Sequence, residues 1–267
     1  MALAAGNTVY SLVCSRVTGC GLSLNNGELE LAINGPVAAL LRDDEGYADI
    51  AELITSIDET GFDRQEALRT LERTGEPEPW RIGEALAECY LVEHRDCFFP
   101  WPDGRDERKW GSSLPGADLV GFQVDNNGCR FAFGEVKTSG EEEYPPGIMY
   151  GRSGLKGQIE DLKNDIEVKS ALIRYLTHRA VNSSWKSEFQ QAFTRYMTSD
   201  KFDFSIFGVL VRDVTAHIDD LRTRVDKLGV DCSTPLTIEL LAIYLPQKVI
   251  GSWEEKCPIC LARECET

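Results

Sequence analysis

Two strand-like runs, residues 117–124 and 129–138, are joined by the tetrapeptide DNNG at 125–128. An Asn-Gly turn has the backbone twist that closes a two-stranded hairpin, so this stretch predicts a tight antiparallel pair. A short turn also sets register. Counting outward from it, position 118 falls roughly opposite position 135. Side chains alternate along a strand, so Glu135 and Lys137 share one face. Register decides whether Asp118 joins them there.

What surrounds the hairpin alternates in type. Residues 80–94, WRIGEALAECYLVEH, have helical spacing of apolar residues and helix-favouring alanines. CFFPW follows as a short strand, then a polar loop over 102–115. After the hairpin come a loop at 141–147, a long helix over 154–181 and a second over 187–199. A buried-type strand at 202–214, a helix at 216–229 and a final strand at 235–246 complete the order. Helices interleaved with strands in this way predict an α/β fold, a mixed central sheet with helices on both faces.

Before residue 79 the pattern differs. Residues 8–34 read as strand-like or irregular, with NNGE at 25–28 as a turn. PVAALLRD, YADIAELITSI and DRQEALRTLER are helical in spacing, and Asp63 suits the N-cap of the last. GEPEP at 75–79 breaks the pattern. The expected organisation is an N-terminal, mostly helical elaboration (1–78), a core (79–246) and a cysteine-containing tail (247–267).

The chain has 267 residues, enough for a sizeable core, and a formal charge of −16. That charge argues against tight nonspecific nucleic-acid binding by the free chain, which depends on lysine and arginine neutralising phosphates. No apolar run reaches the roughly 18–20 residues needed to cross a bilayer. The first residues lack the basic and long apolar regions of a signal peptide. Nine unevenly spaced cysteines fit reduced thiols, so a cytoplasmic location is expected.

Two carboxylates and an ammonium at one hairpin end suit metal-assisted phosphodiester hydrolysis. Asp118 and Glu135 can hold Mg²⁺ or Mn²⁺, hard cations that prefer oxygen. Lys137 can orient or deprotonate the attacking water. The Val136 carbonyl, between the two side chains, can add a ligand. The same three residues also read as a cross-strand salt bridge. Glu84 and Glu88 stand four apart on one face of the 80–94 helix, where like charges repel unless a cation or another group offsets them. Lys156 and Gln158 open the long helix, where helix N-termini attract phosphate.

The succession Glu88, Asp118, Glu135-Val136-Lys137 and Gln158 on an α-β-β-β-α-β order resembles the PD-(D/E)XK restriction-endonuclease-like superfamily. Pro115 is separated from Asp118 by Gly116 and Ala117, where that superfamily has the Pro-Asp pair adjacent. The resemblance implies metal ligands at Asp118, Glu135 and one of Glu84 or Glu88, with Lys137 catalytic. More narrowly, GEALAECYLVEH, SSLPGADLVGF and FGEVKTS are similar to the HamA effector nucleases of Hachiman anti-phage defence, and to AbpA-type abortive-infection proteins, over roughly 80–245. That likeness implies a bacterial DNA nuclease restrained by a partner helicase/ATPase of the HamB type and released by abnormal or phage DNA. A catalytically inactive nuclease-like binding module, an RNase and a stand-alone restriction enzyme are the competing expectations.

Cys257, Cys260 and Cys265 have a C-x₂-C-x₄-C spacing, three of the four ligands a zinc site usually needs, but they read better as reduced thiols of a tail. His94, His178 and His217 have no ligand spacing to one another. No Gly-rich phosphate loop, GxSxG elbow or HExxH motif occurs.

Overall fold

A computed structural model of the protein describes residues 3–55, 77–102, 105–106 and 116–253. The helix expected over 63–73 with its Asp63 cap, most of the 102–115 loop and the three tail cysteines lie outside the described residues. The architecture is α/β: a mixed seven-stranded sheet with helices on both faces. In chain order the strands are β1 (Asn7–Cys14), β2 (Val17–Ser23), β3 (Cys97–Phe98), β4 (Leu119–Asp125), β5 (Gly128–Ser139), β6 (Phe204–Arg212) and β7 (Thr237–Tyr244). Their order across the sheet is β1-β2-β7-β6-β5-β4-β3. The strands β2, β7, β6 and β5 are mutually parallel, and the hairpins β1–β2 and β4–β5 and the pair β3–β4 are antiparallel. All nine residues of β6 are buried, which is why this central strand reads as an unbroken apolar run.

One face packs against α1 (Asn26–Ala32), α2 (Ala38–Arg42) and α4 (Pro79–His94), with α3 (Asp44–Thr55) beyond α2. Here Ile82, Leu86, Tyr90 and Leu91 meet Ala132, Val136, Val209 and Leu241. The other face is covered by α5 (Leu155–Asn164), α6 (Ile166–Ala180), α7 (Lys186–Thr198) and α8 (Arg222–Val230). There Leu155, Ile159, Leu162 and Leu228 pack on Phe133, Ile206, Leu210 and Leu240. Among the described residues no helix is long and apolar enough to cross a membrane.

Three local expectations change. NNGE is not a turn but a capping box: Asn25 accepts from the Glu28 N–H at 3.0 Å, and Glu28 accepts from the Asn25 N–H at 2.8 Å, starting α1. The long helix over 154–181 divides at Asp165, whose extended backbone and carboxylate cap α6 by accepting from Glu167 and Val168 N–H. The buried Lys169 ammonium reaches back to the Leu162 and Lys163 carbonyls at the end of α5. Thirdly, β2 pairs with β7 from Val17 to Ser23, so strands assigned by sequence to the 1–78 elaboration continue the central sheet.

Candidate active site

The β4–β5 register runs from Asp125↔Gly128 to Leu119↔Gly134, and the turn is tied by the Asn127 N–H donating to Asp125 at 2.7 Å. One further step brings Asp118 opposite Glu135. Val120 and Phe122 share a packing cluster with Phe131 and Phe133, on the face covered by α5–α8. Alternation carries that face to Glu135 and Lys137 on β5, and to Asp118 in the bend just before β4. The three predicted residues therefore stand on one face, at one end of the hairpin.

Their side chains converge. Asp118 Oδ2 accepts the Val136 N–H at 2.8 Å and lies 3.9 Å from Lys137 Nζ. Lys137 Nζ donates to Glu135 Oε1 at 2.5 Å. The N–H and C=O of one strand residue point to the same side of the strand, so the Val136 carbonyl faces the Asp118 edge, beyond the last β4–β5 pair. Glu135 is fully buried, while the Asp118 and Lys137 side chains keep a narrow opening to solvent.

Burial, followed by the charge of Asp118, pushes the Glu135 carboxyl up to about 9, with Lys137 opposing. Burial also raises Asp118, against the pull of Lys137 and the Val136 N–H. Burial acts to lower Lys137, but the Asp118 and Glu135 charges outweigh it and the ammonium is held above its ordinary value. The Asp118 and Glu135 carboxyls are close enough to share a hydrogen bond when one is protonated; apart from that, Glu135 Oε2 is buried without a partner.

This donor set fits a hard divalent cation. Two carboxylates meet in a buried corner, where burial chiefly opposes their ionisation, and a cation would offset that cost. Mg²⁺ is commonly held by only one or two carboxylates, with water and substrate phosphate filling its other positions. Among the described residues no third acid, histidine or cysteine is gathered with them into a ligand cluster.

Of the two helix glutamates, the structure brings Glu84 nearer. A methyl group added at Gly83 would collide with Thr138 Oγ1, so the absence of a side chain there lets α4 lie directly on β5. That contact sets Glu84 at the same end of the sheet as Lys137, although α4 covers the opposite face. Glu84 pairs with Arg81 at 3.2 Å, and its charge helps to raise Lys137. From there α4 runs toward β3, which pairs at Phe122 and Gln123, the far end of the hairpin. Glu88 is about 6 Å further along that axis.

Gln158 and Lys156 separate. Leu155, Ile159 and Leu162 face the sheet. Lys156 lies 3.9 Å from Glu160, and Glu160 lies 4.0 Å from Arg224, so this flank of α5 faces α8. Gln158 projects from the opposite flank, the side of β5 and β4. Its Oε1 is buried without a hydrogen-bond partner. Sequence reasoning passed over Arg212, which shares the site's face from β6. The available signal was a charged residue closing an otherwise apolar run.

No protein-family model matches the chain, and no curated protein matches it.

Proposed function

We propose that the chain is a Mg²⁺- or Mn²⁺-dependent nuclease that hydrolyses phosphodiester bonds of DNA, on a restriction-endonuclease-like fold. The observation that carries this reading is the convergence of Asp118, Glu135 and Lys137 at one end of the β4–β5 hairpin, with Glu135 fully buried. A bound cation would polarise a phosphate oxygen and acidify water. Asp118 and Glu135 would hold it, and the Val136 N–H keeps Asp118 turned toward Glu135. Lys137 orients the attacking water and stabilises negative charge that develops on phosphate. Gln158, on the β5 side of α5, would contact substrate phosphate. Glu84 stands at the same sheet end, available to the cation or its water.

The biological setting we propose is anti-phage defence, with a helicase/ATPase partner that restrains the nuclease until it meets abnormal DNA. The similarity of residues 83–94, 112–122 and 133–139 to HamA effectors supports it. The charge of −16 is in keeping with a nuclease that engages DNA through a partner.

A second reading has one observation in its favour. The 2.5 Å Lys137–Glu135 contact is also what a structural ion pair would make, in an inactive nuclease-like module docked on a larger ATPase. Cleavage assays separate the two. The purified chain, alone and with its partner, is incubated with Mg²⁺ or Mn²⁺ and plasmid, linear duplex, single-stranded DNA or RNA, beside Glu135→Ala and Lys137→Ala. DNA cleavage lost in both variants is expected. Intact substrates in every sample, or equal cutting by the variants, would defeat the nuclease reading.

A further inference from the structure

Arg212 ends β6 with its side chain fully buried. The pairs Lys137↔Leu210 and Ser139↔Arg212 put it on the face of Glu135 and Lys137, one step beyond Lys137 on the neighbouring strand. Strand spacing and rise make that diagonal about 8 Å between backbones. Arg212 Nη2 donates to the carbonyls of Glu141 at 2.7 Å and Glu143 at 3.0 Å. Both carbonyls belong to the loop 140–146, which leaves β5 directly after Ser139. The guanidinium carbon lies 5.6 Å from the centre of the Tyr144 ring. The Glu141 N–H donates to Ser139 Oγ at 3.2 Å, closing the loop back onto the strand end. On its other side Arg212 Nε is 3.8 Å from Asp220 Oδ2, which accepts from the Tyr244 hydroxyl at 2.8 Å.

This arrangement is costly. Arg212 Nε and Nη1 and Asp220 Oδ1 are buried without hydrogen-bond partners. An apolar residue at 212, with a neutral one at 220, would end a buried strand without stranding these groups. What the arginine supplies, and an apolar residue would not, is the pair of hydrogen bonds that fixes the exit of β5.

We propose that Arg212 is a positioning residue for the Asp118–Glu135–Lys137 site. It acts through the loop 140–146, holding the end of β5, and Lys137 with it, in place against β6. The inference rests on the nuclease reading and deepens it, since it names a support of the same site.

The test uses the full chain carrying Arg212→Lys, and a paired Arg212→Met, Asp220→Asn variant that removes both buried charges together. If the paired variant does not unfold cooperatively, Arg212→Lys carries the test. Hydrogen exchange over 136–147 and Mn²⁺-dependent plasmid cleavage are measured for each, with the activating partner where wild type needs it. Exchange is expected to quicken over 136–147 and stay unchanged in α1 and β3. Outer supports of a metal site typically contribute tenfold or more, so kcat should fall about tenfold while KM moves less than about twofold. Unchanged exchange over 136–147 overturns the assignment whether or not the protein cuts. Faster exchange with undiminished kcat also overturns it. A wild type that neither binds Mn²⁺ nor cuts overturns the nuclease reading instead, and the role of Arg212 at that site falls with it.

Discussion

Asp118 accepts a 2.8 Å hydrogen bond from the backbone of Val136, the residue between Glu135 and Lys137. This contact joins two strands just past their last ladder pair and turns the first carboxylate toward the second. Lys137→Ala removes the ammonium that bridges them. General acid–base groups commonly contribute about 10²–10⁴-fold, so cleavage should fall by that order in a single-turnover assay while Mn²⁺ still binds. Undiminished cleavage would assign Lys137 to structure alone.

Glu135→Gln should separate stability from activity. The substitution removes a buried carboxyl that resists ionisation and keeps a carbonyl for Lys137 to donate to. Near pH 8 the variant should be more stable than metal-free wild type, by about 1–3 kcal/mol in a denaturant titration. Its cleavage should be at background.

Proton linkage gives a direct pH signature. Glu135 rises from an ordinary 4.5 to about 9 in the fold, chiefly through burial and then through Asp118. The folded protein therefore keeps a proton that the unfolded chain releases. That contribution to stability is complete below the ordinary value and is lost as pH rises through about 9. Metal-free Tm should fall across that window. A cation needs the ionised carboxylate, so its binding expels the proton and the apparent affinity climbs with pH. Calorimetry in buffers of different ionisation enthalpy reads this; affinity independent of pH would contradict it.

Glu84 and Glu88 should respond differently. The approach of Gly83 to Thr138 sets Glu84 at the site's end of β5, whereas Glu88 lies about one turn further away. Glu84→Gln should weaken Mn²⁺ binding or cleavage by about tenfold, as outer supports do, and Glu88→Gln should leave both unchanged. An equal effect of the two would show that α4 sits elsewhere on the sheet.

Gly83→Ala should force α4 and β5 apart. Overpacking of this kind costs about 1–3 kcal/mol. Thr138→Ala removes the hydroxyl that the new methyl meets, so the double variant should recover much of the loss, a coupling measurable by thermal unfolding.

What was readable in advance followed from local rules. The DNNG turn fixes its own register, and the period of two then puts Glu135 and Lys137 on one face. Helix α4 was legible from its spacing and starts within one residue of the expected position. Long-range and multi-residue effects were not. The pairing of β2 with β7 joins positions more than 200 residues apart, which no window of sequence displays. The break at Asp165 depends on Lys169 folding back onto the carbonyls of α5. The split between Gln158 and Lys156 required knowing which face of α5 meets the sheet. Arg212 looked like the end of a buried strand, and its tie to the Glu141 and Glu143 carbonyls exists only once that strand lies beside β5.

A Mn²⁺ titration of the purified chain at about pH 8, wild type beside Glu135→Gln and followed by calorimetry, asks directly whether Asp118 and Glu135 hold a cation. A titration of the free chain reads the carboxylate pair itself, before partner or nucleic acid is added. Saturable binding with proton release is expected in wild type and no measurable site in the variant. Equal binding by both proteins, or none by either, would contradict a cation site at Asp118 and Glu135.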